Sequence, residues 1–212
     1  MSAELSQAPR TSPLTAADID EAAQRISGVV HKTPLQLCER LSDATGDTVY
    51  FKREDLQPVR SYKLRGAHNV LMQLSAEELA AGVVCSSAGN HAQGFAMACR
   101  SMGVRGRVYV PGKTPKQKRD RIRYHGREYI ELIVTGRTYD DAAAAALDDV
   151  ARTGATLVPP YDDLRTMAGR GTIAAEILDQ LDDEPDTVIV PVGGGGCIAG
   201  ITSYLAERTT NT

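Results

Sequence analysis

The chain has 212 residues, 42% of them hydrophobic, with 24 lysines and arginines set against 27 aspartates and glutamates for a formal net charge of -3. These charges are scattered and give no basic footprint for nucleic acid, and no run approaches the roughly 18–20 apolar residues of a membrane span. Residues 1–13 lack the charged start and apolar core of a signal peptide, so the expected location is the cytoplasm.

Cys38, Cys85, Cys99 and Cys197 lie far apart without a CxxC pair, which argues for buried thiols rather than a zinc site or a disulfide framework. His31, His68, His91 and His125 show no metal-ligand spacing, and no metal is expected.

Residues 1–13 are small and polar, as in an unanchored tail. Thr15 reads as an N-cap, with Asp18, Asp20 and Glu21 near the positive end of a helix running to about Ser27. Thr33-Pro34-Leu35 is extended by its proline, a short helical piece covers residues 38–43, and residues 48–52 (TVYFK) have strand composition. The next stretch, residues 57–67 (QPVRSYKLRGA), places Lys63 at the start of an apolar helical pattern. Pro58 breaks the preceding structure, Ser61 reads as an N-cap, and Leu64, Ala67, Val70, Leu71 and Leu74 recur at helical spacing. A lysine amine, with an ordinary pKa of about 10.4, becomes a nucleophile only where its surroundings disfavour the charge. The positive end of the helix does so, and Arg60, Arg65, Lys52 and Arg53 add like charge in the same direction. The alternative is a solvated lysine among arginines.

Ser75 and Glu78 have capping-box spacing for a helix ending near Gly82. Beyond it, short apolar runs at 83–86, 107–110, 129–134, 156–158 and 187–192 alternate with helical runs at 92–102, 115–125, 139–152 and 172–181. This alternation predicts an α/β fold with a mostly parallel sheet, in which ligands bind at loops beyond the carboxyl ends of strands. One such loop is SAGNHAQG, residues 87–94. Ser87 and Asn90 offer hydroxyl and amide groups, Gly89 permits a tight turn, and free amides at the helix start suit an anion; Asn90 as a simple N-cap would read the same way. The second is PVGGGGCIAG, residues 191–200, where four glycines between an apolar run and a helix converge several N–H groups on one point, as a phosphate dianion requires. It has neither the GxxxxGKS nor the GxGxxG spacing of nucleotide loops. A reactive lysine, a phosphate cradle and a polar loop for a carboxylate together describe a site for pyridoxal phosphate.

The run FKREDLQPVRSYKLRGA, the loop SAGNHAQG, the segment TPKQKRDRI and the loop PVGGGG together resemble the threonine dehydratases, pyridoxal-phosphate enzymes of fold type II, over residues 33–206. The resemblance implies a tryptophan synthase β-like architecture of two open α/β domains. Residues 1–77 and 155–212 would form the large cofactor-binding domain and residues 78–154 the small one. It further implies Lys63 as the Schiff-base lysine and catalytic base, Asn90 at the cofactor's ring hydroxyl, and backbone amides of Gly193, Gly194, Gly195, Gly196 and Cys197 around its phosphate. Ser87, Gly89, Asn90 and His91 would meet the substrate carboxylate.

The implied reaction is β-elimination from L-threonine, and from L-serine as a second substrate, to a 2-oxo acid and ammonia, as in isoleucine biosynthesis. A homo-oligomer is expected of the full-length protein, with no nucleic-acid or membrane partner. Cysteine synthases resemble the chain less, carrying Lys-Asp-Arg where it has Lys63-Leu64-Arg65. Serine racemases are closer, but they carry a serine beside the loop glycine where this chain has Ala88, which favours elimination over racemisation. The family's catalytic domain is longer than this chain, its later part adding strands and a serine or cysteine facing the pyridine nitrogen. The larger domain is therefore expected to be incomplete, with an exposed sheet edge and an uncovered apolar face. The alternatives to an active lyase are an inactive fragment of one and a racemase-like relative.

Overall fold

A computed structural model describes residues 14–210. Helix α1 (Ala16–Arg25) starts on its predicted cap: the Asp18 N–H donates to the Thr15 hydroxyl, and the Thr15 N–H donates back to the Asp18 carboxylate at 2.9 Å. An antiparallel pair follows, β1 (Leu35–Leu37) and β2 (Tyr50–Lys52), with α2 (Glu39–Thr45) between them and Gln36 opposite Phe51. The segment that Pro34 extends thus leads into a strand that begins at Leu35. A 3-10 turn, Glu54–Leu56, then leads into α3 (Lys63–Leu71), whose first residue is Lys63.

Ser61 does not cap α3. Tyr62, already helical at φ -65° and ψ -12°, occupies the cap position, so the Ser61 hydroxyl falls one residue short of the free N–H groups and stays buried without a partner. Helix α4 (Ala76–Ala81) carries the Ser75–Glu78 capping box and stops at Gly82, as expected.

From there strands and helices alternate: β3 (Val83–Ser86), α5 (Asn90–Met102), β4 (Gly106–Val110), α6 (Lys116–Gly126), β5 (Ile130–Val134), α7 (Tyr139–Thr153) and β6 (Thr156–Leu157). The strands form a parallel sheet in the order β5-β4-β3-β6, with Cys85 opposite Val108. Successive side chains of a strand leave opposite faces. Accordingly Val83, Cys85 and Val108 join Phe95, Cys99 and Ile122 in one core, while Val84 and Tyr109 join Ala142 and Ala146 in another. The strand expected from residue 129 begins at Ile130, because Tyr129 still closes a 3-10 turn.

Two helices complete the described chain, α8 (Leu164–Gln180) and α9 (Gly196–Arg208), with α8 packed against α1, α3 and α9. Helix α8 begins eight residues before the expected 172. Gly169 and Gly171 weaken the helical pattern in the text, yet close packing demands at least the first. A Cβ on Gly169 would lie 2.5 Å from the Arg65 carbonyl oxygen, and one on Gly66 would lie 2.8 Å from that of Thr166, so α3 and α8 touch backbone to backbone.

The apolar run 187–192 is not a strand. Ile189 is 92% exposed and Val192 64%, and no described segment pairs with this backbone. An apolar β-branched run becomes a strand only beside an edge that satisfies its N–H and C=O groups. No helix among the described residues is long and apolar enough to cross a membrane.

The α3–α8 contact yields a stability test. Gly169→Ala is expected to cost about 1–3 kcal/mol of unfolding free energy in a urea titration, because a backbone carbonyl cannot move aside cheaply. Gly193→Ala, in an exposed loop where the added carbon meets nothing within 4 Å, should stay within about 0.5 kcal/mol of the parent. Equal costs at the two sites would contradict the packing described.

Candidate active site

Lys63 opens α3, where the first N–H groups lack helical partners and the dipole opposes a cation. Its Nζ lies 4.9 Å from the centroid of the Tyr62 ring. Burial lowers its pKa to about 8; the Arg170 guanidinium pushes the same way, and Cys197 opposes it. The cations expected from the sequence are not the cause. Arg65 is clamped between carboxylates, with Nε and Nη2 on Glu54 at 2.9 and 2.7 Å and Nη1 and Nη2 on Glu176 at 2.7 and 2.9 Å. Lys52 pairs with Glu176 at 2.6 Å, Arg53 pairs with Asp55, and Arg60 is exposed. Their charges are neutralised or solvated, and the effective cation arrives from α8, more than a hundred residues downstream.

That cation, Arg170, is fully buried. Its Nη2 donates to the Pro160 carbonyl, while Nε and Nη1 have no hydrogen-bond partner. Its guanidinium carbon lies 5.5 Å from the Tyr62 centroid, so Lys63 and Arg170 share one ring.

The glycine loop meets this group at the start of α9. Gly195 holds the N-cap at φ +82°, a conformation that side chains other than glycine's rarely adopt, and no side chain caps the helix. The Ala199 N–H donates to the Gly195 carbonyl at 2.9 Å, which leaves the N–H groups of Gly196, Cys197 and Ile198 directed out of the helix start. A Cβ on Gly196 would lie 2.9 Å from Arg170 Nη1, and one on Gly194 would enter the Tyr161 ring. Gly196 and Cys197 are buried; Gly193 and Gly194 are exposed.

The SAGNH loop lies beyond the carboxyl end of β3. Gly89, not Asn90, is the N-cap of α5, and Asn90 is an exposed first helical residue. The Gly89 N–H donates to Ser87 Oγ at 3.2 Å. This helix is held at the lysine by Gly94, where a Cβ would lie 2.9 Å from the Leu64 nitrogen and the Lys63 carbonyl carbon. His91 is buried with Nε2 2.9 Å from the Val158 carbonyl. A carbonyl only accepts, so Nε2 carries the hydrogen. Burial drives the His91 pKa down to about 3, against the Val158 bond and with help from Arg170 and Lys63. The neutral ring therefore presents Nδ1, which has no partner, as a bare acceptor. Such a ring cannot donate to a carboxylate, and any hold on one falls to the N–H groups at the start of α5.

Lys63, His91, Gly196 and Cys197 thus gather around Arg170, with Ser87, Gly89 and Asn90 at the helix start that carries His91 and with Gly193 and Gly194 on the open side. Tyr62, Tyr161 and Arg170 were not among the residues expected from the sequence. Arg170 had a readable signal, an arginine between glycines inside apolar text (AGRGT); Tyr161, 42% exposed, had none. An amine of lowered pKa, two unpartnered guanidinium donors and an open helix start suit a ligand that carries both a carbonyl and a dianion.

Residues 26–212 match the family described as pyridoxal-phosphate dependent enzymes. The chain is 77% identical over 215 residues to the L-threonine dehydratase biosynthetic IlvA of Mycobacterium tuberculosis, covering 100% of this chain and 50% of that protein. With its Bacillus subtilis counterpart the identity is 44% over 192 residues, 91% of this chain and 46% of that protein. The chain therefore spans about half the length of the curated relatives it matches. Among solved structures, the processed form of threonine deaminase isoform 2 from Solanum lycopersicum superposes with a TM-score of 0.85 at 39% identity, covering 95% of this chain and 56% of that one. Serine racemase from Dictyostelium discoideum gives 0.86 at 33%, covering 93% and 63%.

The lowered Lys63 value has a pH signature. Below about 8 the amine is mostly protonated and only its neutral fraction reacts; as pH rises through about 8 the neutral, nucleophilic form becomes the majority. Pulsed labelling with an amine-reactive aldehyde and peptide mapping should show Lys63 modification rising with a midpoint near 8. A midpoint near the ordinary 10.5 would contradict the environment described.

Proposed function

The chain belongs to the pyridoxal-phosphate-dependent enzymes and has their fold type II architecture, and from that premise we propose that it acts in converting L-threonine to 2-oxobutanoate and ammonia. L-serine is the second substrate of this reading, since pockets discriminate a single methyl group by only about 1–3 kcal/mol. The observation that carries the reading is Lys63, with its pKa lowered to about 8, set beside the unpartnered Arg170 guanidinium and the open start of α9. The relatives' names, threonine dehydratase and threonine deaminase, supply the substrate class.

In this reading Lys63 holds the cofactor covalently through its amine, the backbone N–H groups from Gly193 to Cys197 receive the phosphate, and Asn90 meets the ring hydroxyl. When bound, pyridoxal phosphate supplies the electron sink that makes the substrate's Cα–H bond breakable. Lys63 Nζ, once free of the cofactor, accepts the α-proton, a role that an amine of pKa near 8 performs at physiological pH and an ordinary lysine does not. The N–H groups at the start of α5, with Ser87 and Gly89 beside them, orient the substrate carboxylate. His91 lends an acceptor at Nδ1 rather than a donor. Overall the β-hydroxyl leaves with the α-proton, and water returns when the C–N bond is hydrolysed to the keto acid and ammonia. Residues 1–77 and 155–212 form the large unit of this proposal and residues 78–154 the small one, with β6 pairing to β3 across that boundary.

The test is keto-acid formation from L-threonine by the chain supplied with pyridoxal phosphate. Lys63→Ala should abolish both turnover and the visible absorbance that the parent acquires from the cofactor. A parent chain that stays colourless and makes no keto acid would sink the proposal, and loss of optical activity without keto acid would replace it with racemisation.

A further inference from the structure

Among the described residues two arginines are fully buried, Arg65 and Arg170, and only the first is satisfied. Arg65 spends its N–H donors on Glu54, Glu176 and the Thr172 hydroxyl. Arg170, at 0% exposure, makes one hydrogen bond, to the Pro160 carbonyl, and Nε and Nη1 have no partner. Among the described residues no carboxylate pairs with it; the groups that act on it electrostatically are Tyr62 and Cys197. A guanidinium cannot shed its proton to escape burial as a lysine can, so the charge stays and calls for a counter-anion.

Where that anion would sit follows from what the unpartnered atoms face. Nη1 lies where a side chain on Gly196 would be, 2.9 Å from the Cβ position of the first residue of α9, at the helix end whose N–H groups point outward without a capping side chain. Nε lies 3.2 Å from the Cβ position of Gly66 in α3. Nη1 and the start of α9 therefore lie together, while Nε faces α3, and both the guanidinium and the helix start favour negative charge. Lys63 adds a second cation, over the same Tyr62 ring.

We propose that Arg170 is a side-chain ligand for the phosphate group at the start of α9, so that a buried arginine and not the glycine backbone alone holds the dianion. This inference rests on the reading of the site as one for pyridoxal phosphate. It gives Arg170 a binding role that the glycine-loop motif does not contain, because the residue comes from a different helix and leaves no trace in the PVGGGG text.

The experiment titrates the parent chain, Arg170→Gln and Arg170→Lys with pyridoxal 5'-phosphate and with phosphate-free pyridoxal. Absorbance follows capture, and thermal midpoints are recorded with and without inorganic phosphate. The readout is the preference for the phosphorylated compound over pyridoxal, a ratio in which any effect on the Lys63 amine cancels. Arg170→Gln should lower that preference at least tenfold and lose the rise in midpoint that inorganic phosphate gives the parent, and Arg170→Lys should recover part of both. Without ligand, the glutamine variant should melt no lower than the parent, since an unpaired buried charge has been removed. An unchanged preference would overturn the role of Arg170 while leaving the pyridoxal-phosphate reading intact, and so would a glutamine variant that unfolds without ligand. A parent that captures neither compound would defeat that reading and this inference with it.

Discussion

The Arg65 clamp is the interaction on which the arrangement depends. One guanidinium, 1% exposed, bridges Glu54 from the 3-10 turn and Glu176 from α8, and Lys52 of β2 reaches the same Glu176. Burial alone would pull the Arg65 pKa down, but the hydrogen bonds to Glu54 and Glu176 reverse that and raise it. Glu176 mirrors this: burial pushes its carboxyl up, and Arg65 and Lys52 bring it below the ordinary value. Removing one partner of such a buried group typically costs about 3–5 kcal/mol, because the others are left uncompensated. The clamp binds the β1–β2 pair, α3 and α8 into one unit, and Lys63 stands two residues from its centre.

Because Arg65 is neutralised so completely, it contributes little to the field at Lys63. That field comes instead from burial and from Arg170, whose side chain enters from α8 through the contact that Gly66 and Gly169 make possible. The close approach of α3 to α8 thus shapes the surroundings of the Lys63 amine as well as the packing. A bulkier pair of residues would separate the helices and move the guanidinium away from the amine. Helices α5 and α9 then bring their unsatisfied N–H groups to the same place, α5 by resting Gly94 on the Lys63 backbone and α9 by starting at Gly196 beside Arg170. The site is built from helix starts, in which backbone donors are fixed before any ligand arrives.

Much of this was legible in the sequence where the determinants are local. The capping boxes at Thr15–Asp18 and Ser75–Glu78 need only neighbours three residues apart, and the buried runs of β3 and β4 declare themselves by composition. Lys63 at a helix start and the glycines ahead of α9 were readable for the same reason. What the text hid was long-range. The run 187–192 has strand composition, but pairing requires an edge that its own residues cannot supply. The first turns of α8 looked broken by glycines whose use appears only when α3 lies against them. Arg60, Arg65, Lys52 and Arg53 were the near cations in the sequence, whereas Arg170 is the near one in space.

Whether Lys63 is the amine at which pyridoxal phosphate is held can be measured directly. The chain is equilibrated with the cofactor, reduced with borohydride, digested and mapped by mass spectrometry. The phosphopyridoxyl mass is expected on Lys63; the same mass chiefly on another lysine, such as Lys52 or Lys118, would contradict that role.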